Sequence, residues 1–120
     1  MISVVSCLTL VVYMESRGLP ESAQQLVAQT VINRAKKTKV SVCDEVKGFN
    51  NYSFYHDKKP ELVDDIAALE KAVHIAKKVV KLNDSVGYVP TNYTYFNECF
   101  LGKRYKTKVP MNKIKNMCFY

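Results

Sequence analysis

A single carboxylate ends the first apolar stretch of this 120-residue chain. Glu15 stands in Tyr13-Met14-Glu15-Ser16-Arg17-Gly18, after a run from Ile2 to Val12 that contains no charged residue. Val4, Leu8, Val11 and Glu15 follow one another at steps of four, three and four, the spacing of one helical face. If the run is a helix, Glu15 extends its buried stripe at the C-terminal end and Gly18 supplies the stop. A carboxylic acid half-sunk in an apolar wall has its charged form disfavoured and its pKa raised, which is what a general acid at neutral pH requires. The plainer alternative is a helix-end Glu that swings out to solvent.

The elements that would position this group are legible from periodicity. The uncharged run is too short to span a bilayer. It lacks the basic flank and small-residue cleavage site of a signal peptide, so it reads as a core helix. A second helix is expected from Pro20-Glu21-Ser22, where Pro fits the first turn and Glu the positive helix end. Its inner stripe is Ala23, Leu26, Val27, Thr30, Val31 and Arg34, with Lys36, Lys37 and Lys39 at the C-terminal end. From Ser41 to Lys59 the pattern is irregular and aromatic, apart from a short helix near Val42 to Val46. A third long helix is expected to open at Pro60-Glu61, with Leu62, Ile66, Leu69, Val73, Ala76 and Val80 as its apolar line. His74 falls on the solvent side of that helix, and His56 lies in the irregular stretch. A short strand is expected at Thr94 to Phe96.

Composition narrows the class. Hydrophobic residues at 48% and charged residues at 24% are ordinary globular values, and no repeat or linker divides the chain, so a single domain over 1–120 is expected. The 18 Lys+Arg against 11 Asp+Glu give a net charge of +7. Lys103, Arg104, Lys106, Lys108, Lys113 and Lys115 crowd the C-terminal stretch with no acid among them. Such a surface favours polyanions: nucleic acid, membrane headgroups or an anionic bacterial envelope. Cys7, Cys43, Cys99 and Cys118 are far apart with no CxxC pair, which argues against a structural zinc site. Cys7 reads as a small buried hydrophobe, leaving room for one disulfide among the other three. Eight Tyr and no Trp suit either an aromatic core or a sugar-binding groove.

Two blocks carry a resemblance. Tyr13-Met14-Glu15-Ser16-Arg17-Gly18-Leu19-Pro20 resembles the opening motif Y-x-E-A-R-G-E-P of the SleB-type cell-wall hydrolases, a group that includes spore-cortex-lytic enzymes and bacteriophage lysins. Leu26-Val27-Ala28-Gln29-Thr30-Val31-Ile32-Asn33-Arg34 resembles that family's A-V-A-Q-V-V-L-N-R at matching distance. Shorter likenesses follow at Cys43-Asp44-Glu45-Val46, Asn51-Tyr52-Ser53-Phe54, Thr94-Tyr95-Phe96-Asn97 and Met117-Cys118-Phe119-Tyr120, so the resemblance covers nearly the whole chain. Leu19 replaces the motif's second acid, Asn51 its usual Gln, and Asn97 and Met117 stand where His often occurs.

The resemblance implies a mostly α, lysozyme-like (lytic-transglycosylase-like) domain with a small irregular or β portion, and cleavage of the β-1,4 bond after N-acetylmuramic acid in peptidoglycan. Glu15 would be the catalytic acid. Ser53, Tyr95 and Asn97 would hold the substrate's acetamido or hydroxyl groups, while Tyr13, Arg17, Gly18, Asn33 and Arg34 would support the motif. A hydrolase needs a second carboxylate roughly 5–10 Å away. The candidates are Asp44, Glu45, Asp57 and, best placed beside the Tyr95-Phe96-Asn97 element, Glu98. A lytic transglycosylase needs none, because its one Glu protonates the leaving oxygen and then takes the proton of the sugar's own 6-hydroxyl; the single secure carboxylate favours it. No cofactor or metal is implied. The expected partner is peptidoglycan, with no nucleic acid, no stable membrane insertion and a monomeric state. The expected setting is a phage lysin made in the host cytoplasm, then holin-released to the wall or virion-borne. The rival classes are a wall-binding protein that has lost its chemistry and a small basic nucleic-acid-binding module, although no RRM, KH or zinc-finger signature is present.

Overall fold

The first described helix forms against its own propensities. In the computed structural model, which describes residues 3–48, 65–99 and 112–120, α1 spans Val4–Ser16 and is rich in β-branched residues that lose χ1 freedom in a helix. Ser3 caps it by accepting the Ser6 N–H at 3.1 Å, and the Thr9 and Ser16 hydroxyls donate back to the Val5 and Val12 carbonyls at 2.7 Å. Burial is the stabilising force: Leu8, Val11, Val12 and Tyr13 are fully enclosed, each worth about 1.5–3 kcal/mol relative to exposure. The expected stripe holds at Leu8 and Val11, whereas Val4 in the first turn is exposed.

Around α1 pack α2 (Glu21–Thr38), α3 (Val42–Lys47) and α4 (Ile66–Asn83), with α1 on α4 the most extensive pairing. Helix α2 starts after Pro20 as expected and buries Ala23, Val27, Thr30 and Val31 of the anticipated stripe. It ends with Lys39 in the left-handed region (φ 59°, ψ 40°), and the Val40 N–H reaches back to the Ala35 carbonyl at 3.0 Å. Short helix α3 lies where expected, capped by Ser41, which accepts the Asp44 N–H at 3.0 Å.

Helix α4 departs from the sequence reading in two ways. It begins at Ile66 rather than at Pro60-Glu61, because Asp65 sits in extended geometry and its carboxylate accepts the Ala68 N–H at 2.9 Å. Leu62 lies outside the described residues. The buried line is Ala72, Ile75, Ala76 and Val79, with Leu69, Val73 and Val80 flanking it and Ile66 exposed. Ala76 holds its expected place on that line, whereas Ala72, which a count of large apolar residues misses, is buried beside it.

The remainder forms a three-stranded antiparallel sheet of order β1-β3-β2: β1 Phe96–Glu98, β2 Asn112–Ile114 and β3 Met117–Phe119. The expected strand at 94–96 is thus displaced by two residues, although Thr94 N–H bonds the Tyr120 carbonyl at 2.9 Å and Tyr120 N–H bonds the Tyr95 carbonyl at 2.9 Å. The sequence carries no clear signal for the β2–β3 hairpin; it turns at Lys115-Asn116, with Lys115 at φ 56°. Met117 and Phe119 enter the helical core, and the Phe119 ring lies 5.9 Å from Tyr93 and 6.4 Å from Phe96.

The cysteine reading is corrected. Cys7 is covalently paired with Cys43, joining α1 to α3 across a Cα separation of 5.4 Å. Cys99 and Cys118 form a second disulfide from β1's end to β3, one bond of the kind expected among Cys43, Cys99 and Cys118. Cys7 is buried as anticipated, and its partner arrives from α3, a tertiary neighbour invisible to helical periodicity. The chain is therefore mostly helical with a small sheet, compatible with the expected mostly α, lysozyme-like domain.

Candidate functional site

Glu15 occupies the last turn of α1 and is half-buried, between the partly buried Met14 and the enclosed Ser16. The chain leaves the helix at Arg17 (φ −59°, ψ 142°) and turns through Gly18 at φ 84°. A Cβ at Gly18 would meet nothing within 4 Å, so the glycine is required by its backbone angle and not by crowding. Leu19 N–H then bonds the Ser16 carbonyl at 3.1 Å, completing a tight exit.

Two motif residues brace this exit. Tyr13 is fully buried, and its hydroxyl oxygen accepts hydrogen bonds from Arg17 Nη1 and, at 3.2 Å, from the Asp65 backbone N–H. The Arg17 guanidinium carbon lies 4.7 Å from the Tyr13 ring centroid. Tyr13 thus ties the end of α1 to the residue that caps α4, fixing the turn that carries Glu15 relative to the core.

Asn33 and Arg34, adjacent in the second block, do separate jobs. Asn33 Nδ2 donates to the Thr91 and Tyr93 carbonyls at 2.7 and 2.8 Å, strapping the segment that leads into β1 onto α2. Its Oδ1 accepts from Gln29 Nε2 at 2.9 Å. Gln29, itself buried, exchanges amide hydrogen bonds with Asn83 on α4 (2.7 and 3.1 Å) and accepts from the Tyr88 hydroxyl at 3.3 Å. In the sequence Gln29 stands out only as part of a block; its role as the hub between α2, α4 and the 88–93 segment depends on tertiary placement.

Arg34 Nε lies 3.2 Å from Glu45 Oε2 on α3. Glu45, one of the candidates for a second carboxylate, is only 4% exposed. An acid buried against Arg34, with the Thr38 hydroxyl 3.4 Å from its Oε1, is committed to holding α3 on α2. Asp44 is exposed on the same helix and Glu98 is exposed on β1.

The substrate-side candidates divide. Tyr95 and Asn97 sit with Tyr120 at the sheet: the Tyr95 and Tyr120 rings are 5.9 Å apart, and the Tyr120 hydroxyl lies 3.4 Å from Asn97 Oδ1. Asn97 Nδ2 is buried with no hydrogen-bond partner among the described residues, leaving a donor with unused capacity. Tyr120 joins this cluster through the closing motif, whose spacing alone assigns it no role. Ser53, His56 and Asp57 lie outside the described residues. His74 is exposed on α4, as expected. Among the described residues no group of three or more His, Cys, Asp or Glu is placed to hold a metal, and no helix is long and apolar enough to cross a membrane.

No curated protein and no solved structure matches the chain. A family model described as Cell Wall Hydrolase matches residues 18–120, beginning three residues after Glu15 and taking in the Asn33-Arg34 block, α4 and the sheet.

Proposed function

The chain belongs to the cell wall hydrolase family, an enzyme acting on peptidoglycan, and from that premise we propose that it cleaves the β-1,4 bond between N-acetylmuramic acid and N-acetylglucosamine as a lytic transglycosylase. The observation that carries the proposal is Glu15, a half-buried carboxylate at the end of α1 whose turn is braced by Tyr13, Arg17 and Asp65. In this reading protonated Glu15 gives its proton to the glycosidic oxygen as positive charge develops on the sugar ring. The resulting carboxylate then takes the proton of the muramyl 6-hydroxyl, whose oxygen closes onto the anomeric carbon. The product is an anhydro-muramyl end, and no water is consumed.

Two features support transglycosylation over hydrolysis. A hydrolase needs a second carboxylate as nucleophile or base; Leu19 replaces the second acid of the motif, and Glu45 is held in its pair with Arg34. Asn97 and Tyr95, half-buried at the sheet, would orient the acetamido and hydroxyl groups. The two disulfides suit an enzyme that works outside a reducing cytoplasm. A phage lysin made in the host and passed to the wall by a holin, or carried in the virion, fits that requirement.

The test is mass spectrometry of soluble products from purified peptidoglycan incubated with wild type and with Glu15→Gln. Anhydro-muramyl ends from wild type alone are expected, with a folded but inactive variant. Reducing, water-added ends would replace transglycosylation by hydrolysis and direct attention to Glu98 and Asp44. Normal activity in Glu15→Gln would remove Glu15 from the chemistry.

A further inference from the structure

Every exposed residue of α4 between positions 71 and 81 is a nitrogen base: Lys71, His74, Lys77, Lys78 and Lys81. No carboxylate belongs to this stretch; Glu70 precedes it and Asp84 follows the helix. The eleven residues from Lys71 to Lys81 rise about 15 Å along a straight helix at 1.5 Å per residue. Lys78 is partly neutralised by Glu21 of α2, its Nζ lying 3.5 Å from Glu21 Oε1, whereas Lys71, Lys77 and Lys81 are exposed within the same sector. The opposite side of the helix is the buried line Ala72, Ile75, Ala76 and Val79, so α4 is fixed in rotation and the cations stay on the outside.

We infer that this face of α4 is a docking surface for a linear, phosphodiester-linked anionic polymer attached to the cell wall. The inference deepens the reading of the protein as a wall-acting enzyme and rests on it for the choice of partner. A run of cationic side chains along one sector of a helix suits a chain with repeated charges better than a single anion, for which converging donors in a pocket would be needed. Ammonium groups bind phosphates as point charges without demanding bidentate geometry. Such binding releases counterions and weakens steeply with salt. Held there, the enzyme stays close to the wall between cleavage events.

The experiment measures retention on purified walls before and after hydrofluoric acid removes their phosphodiester polymers. The proteins are wild type, the triple variant Lys71→Gln/Lys77→Gln/Lys81→Gln and a control, Lys36→Gln/Lys37→Gln/Lys47→Gln. The control carries the same change in net charge at exposed positions on α2 and α3. Wild type and control are expected to bind intact walls at least roughly tenfold more tightly than the α4 triple variant. The log–log salt dependence should be shallower for the α4 variant by roughly one unit for each phosphate that it no longer neutralises. On stripped walls the three proteins should bind alike and release glycan products at equal rates.

Equally weakened binding by the control would overturn the inference by showing a net-charge effect, and so would retention of wild type that is unchanged by stripping. Circular dichroism of each triple variant confirms that the helices are intact before binding is read. Failure of the catalytic reading has a different signature: no glycan products from stripped walls with any protein, whatever the retention.

Discussion

Replacing Asn33 by Asp changes one NH2 group into an oxygen, and the structure assigns that change a large penalty. Asn33 Nδ2 makes two short hydrogen bonds, to the carbonyls of Thr91 and Tyr93, from a half-buried position on α2. In Asn33→Asp both donors vanish and an oxygen faces two carbonyl oxygens. Removing each hydrogen bond costs about 1 kcal/mol net, and leaving partly buried acceptors unsatisfied adds to this, so a total of about 2–4 kcal/mol is expected. For a chain of this length that is roughly 8–16 °C in melting temperature.

The penalty should also depend on pH with a definite sign. The introduced carboxyl group has its folded pKa raised by the facing carbonyls, since only its protonated form can donate. Its deficit is therefore smallest below the unfolded value of about 4 and grows as pH rises through the folded pKa. The assay is urea denaturation of both proteins, disulfides intact, at acid and neutral pH. A destabilisation below about 0.5 kcal/mol at neutral pH, the scatter of ordinary surface substitutions, would refute the strap. A penalty larger at acid pH would refute the electrostatic part.

Three further outcomes are expected. Arg34→Met should cost about 3–5 kcal/mol by leaving Glu45 buried without its ion pair, while Arg34→Met/Glu45→Leu should recover much of that stability; equal destabilisation of single and double variants in denaturant titrations would contradict the pairing. Lys39→Gly should stabilise the protein by about 0.5–1 kcal/mol, because Lys39 holds a left-handed C-cap that glycine adopts freely; a lower melting temperature would count against that geometry. Cys7→Ala/Cys43→Ala should lose about 3–4 kcal/mol from the 36-residue separation it no longer closes; unchanged stability relative to oxidised wild type would mean that the pair does not restrain the chain.

The sequence made the helices legible where a single periodic pattern decided them, as in α2, whose stripe and starting Pro20 both hold. It misled over part of α4, which buries Ala72, Ile75 and Val79 beside the expected Ala76, while the expected Val73 and Val80 only flank the core. The start of α4 is set by the Asp65 cap; Pro60-Glu61 lies outside the described residues. Glu15 could be placed at a helix end from spacing alone. The uses of Asn33 and Arg34 could not, because their partners lie 58 and 60 residues away for Asn33 and on α3 for Arg34. Strands of three residues, such as β2 and β3, are too short to show alternation, and a turn led by Lys115 gives no glycine or proline signal.

Neither disulfide crosses the middle of the chain. Cys7–Cys43 closes on itself near the start and Cys99–Cys118 near the end, so any peptide bond between positions 43 and 99 can be cut without a covalent link surviving across the break. The two pieces would be held by non-covalent contacts alone, among them the packing of Met117 and Phe119 on the earlier helices, that of α4 and its Gln29–Asn83 bonds where the cut precedes Ile66, and the Asn33 strap where it precedes Thr91. A nicked enzyme would therefore run as two bands on a non-reducing denaturing gel while remaining one particle under native conditions. The same arrangement makes the protein a natural candidate for reconstitution from separately expressed, separately oxidised halves, each carrying its own cross-link and neither able to trap the other in a wrong pairing.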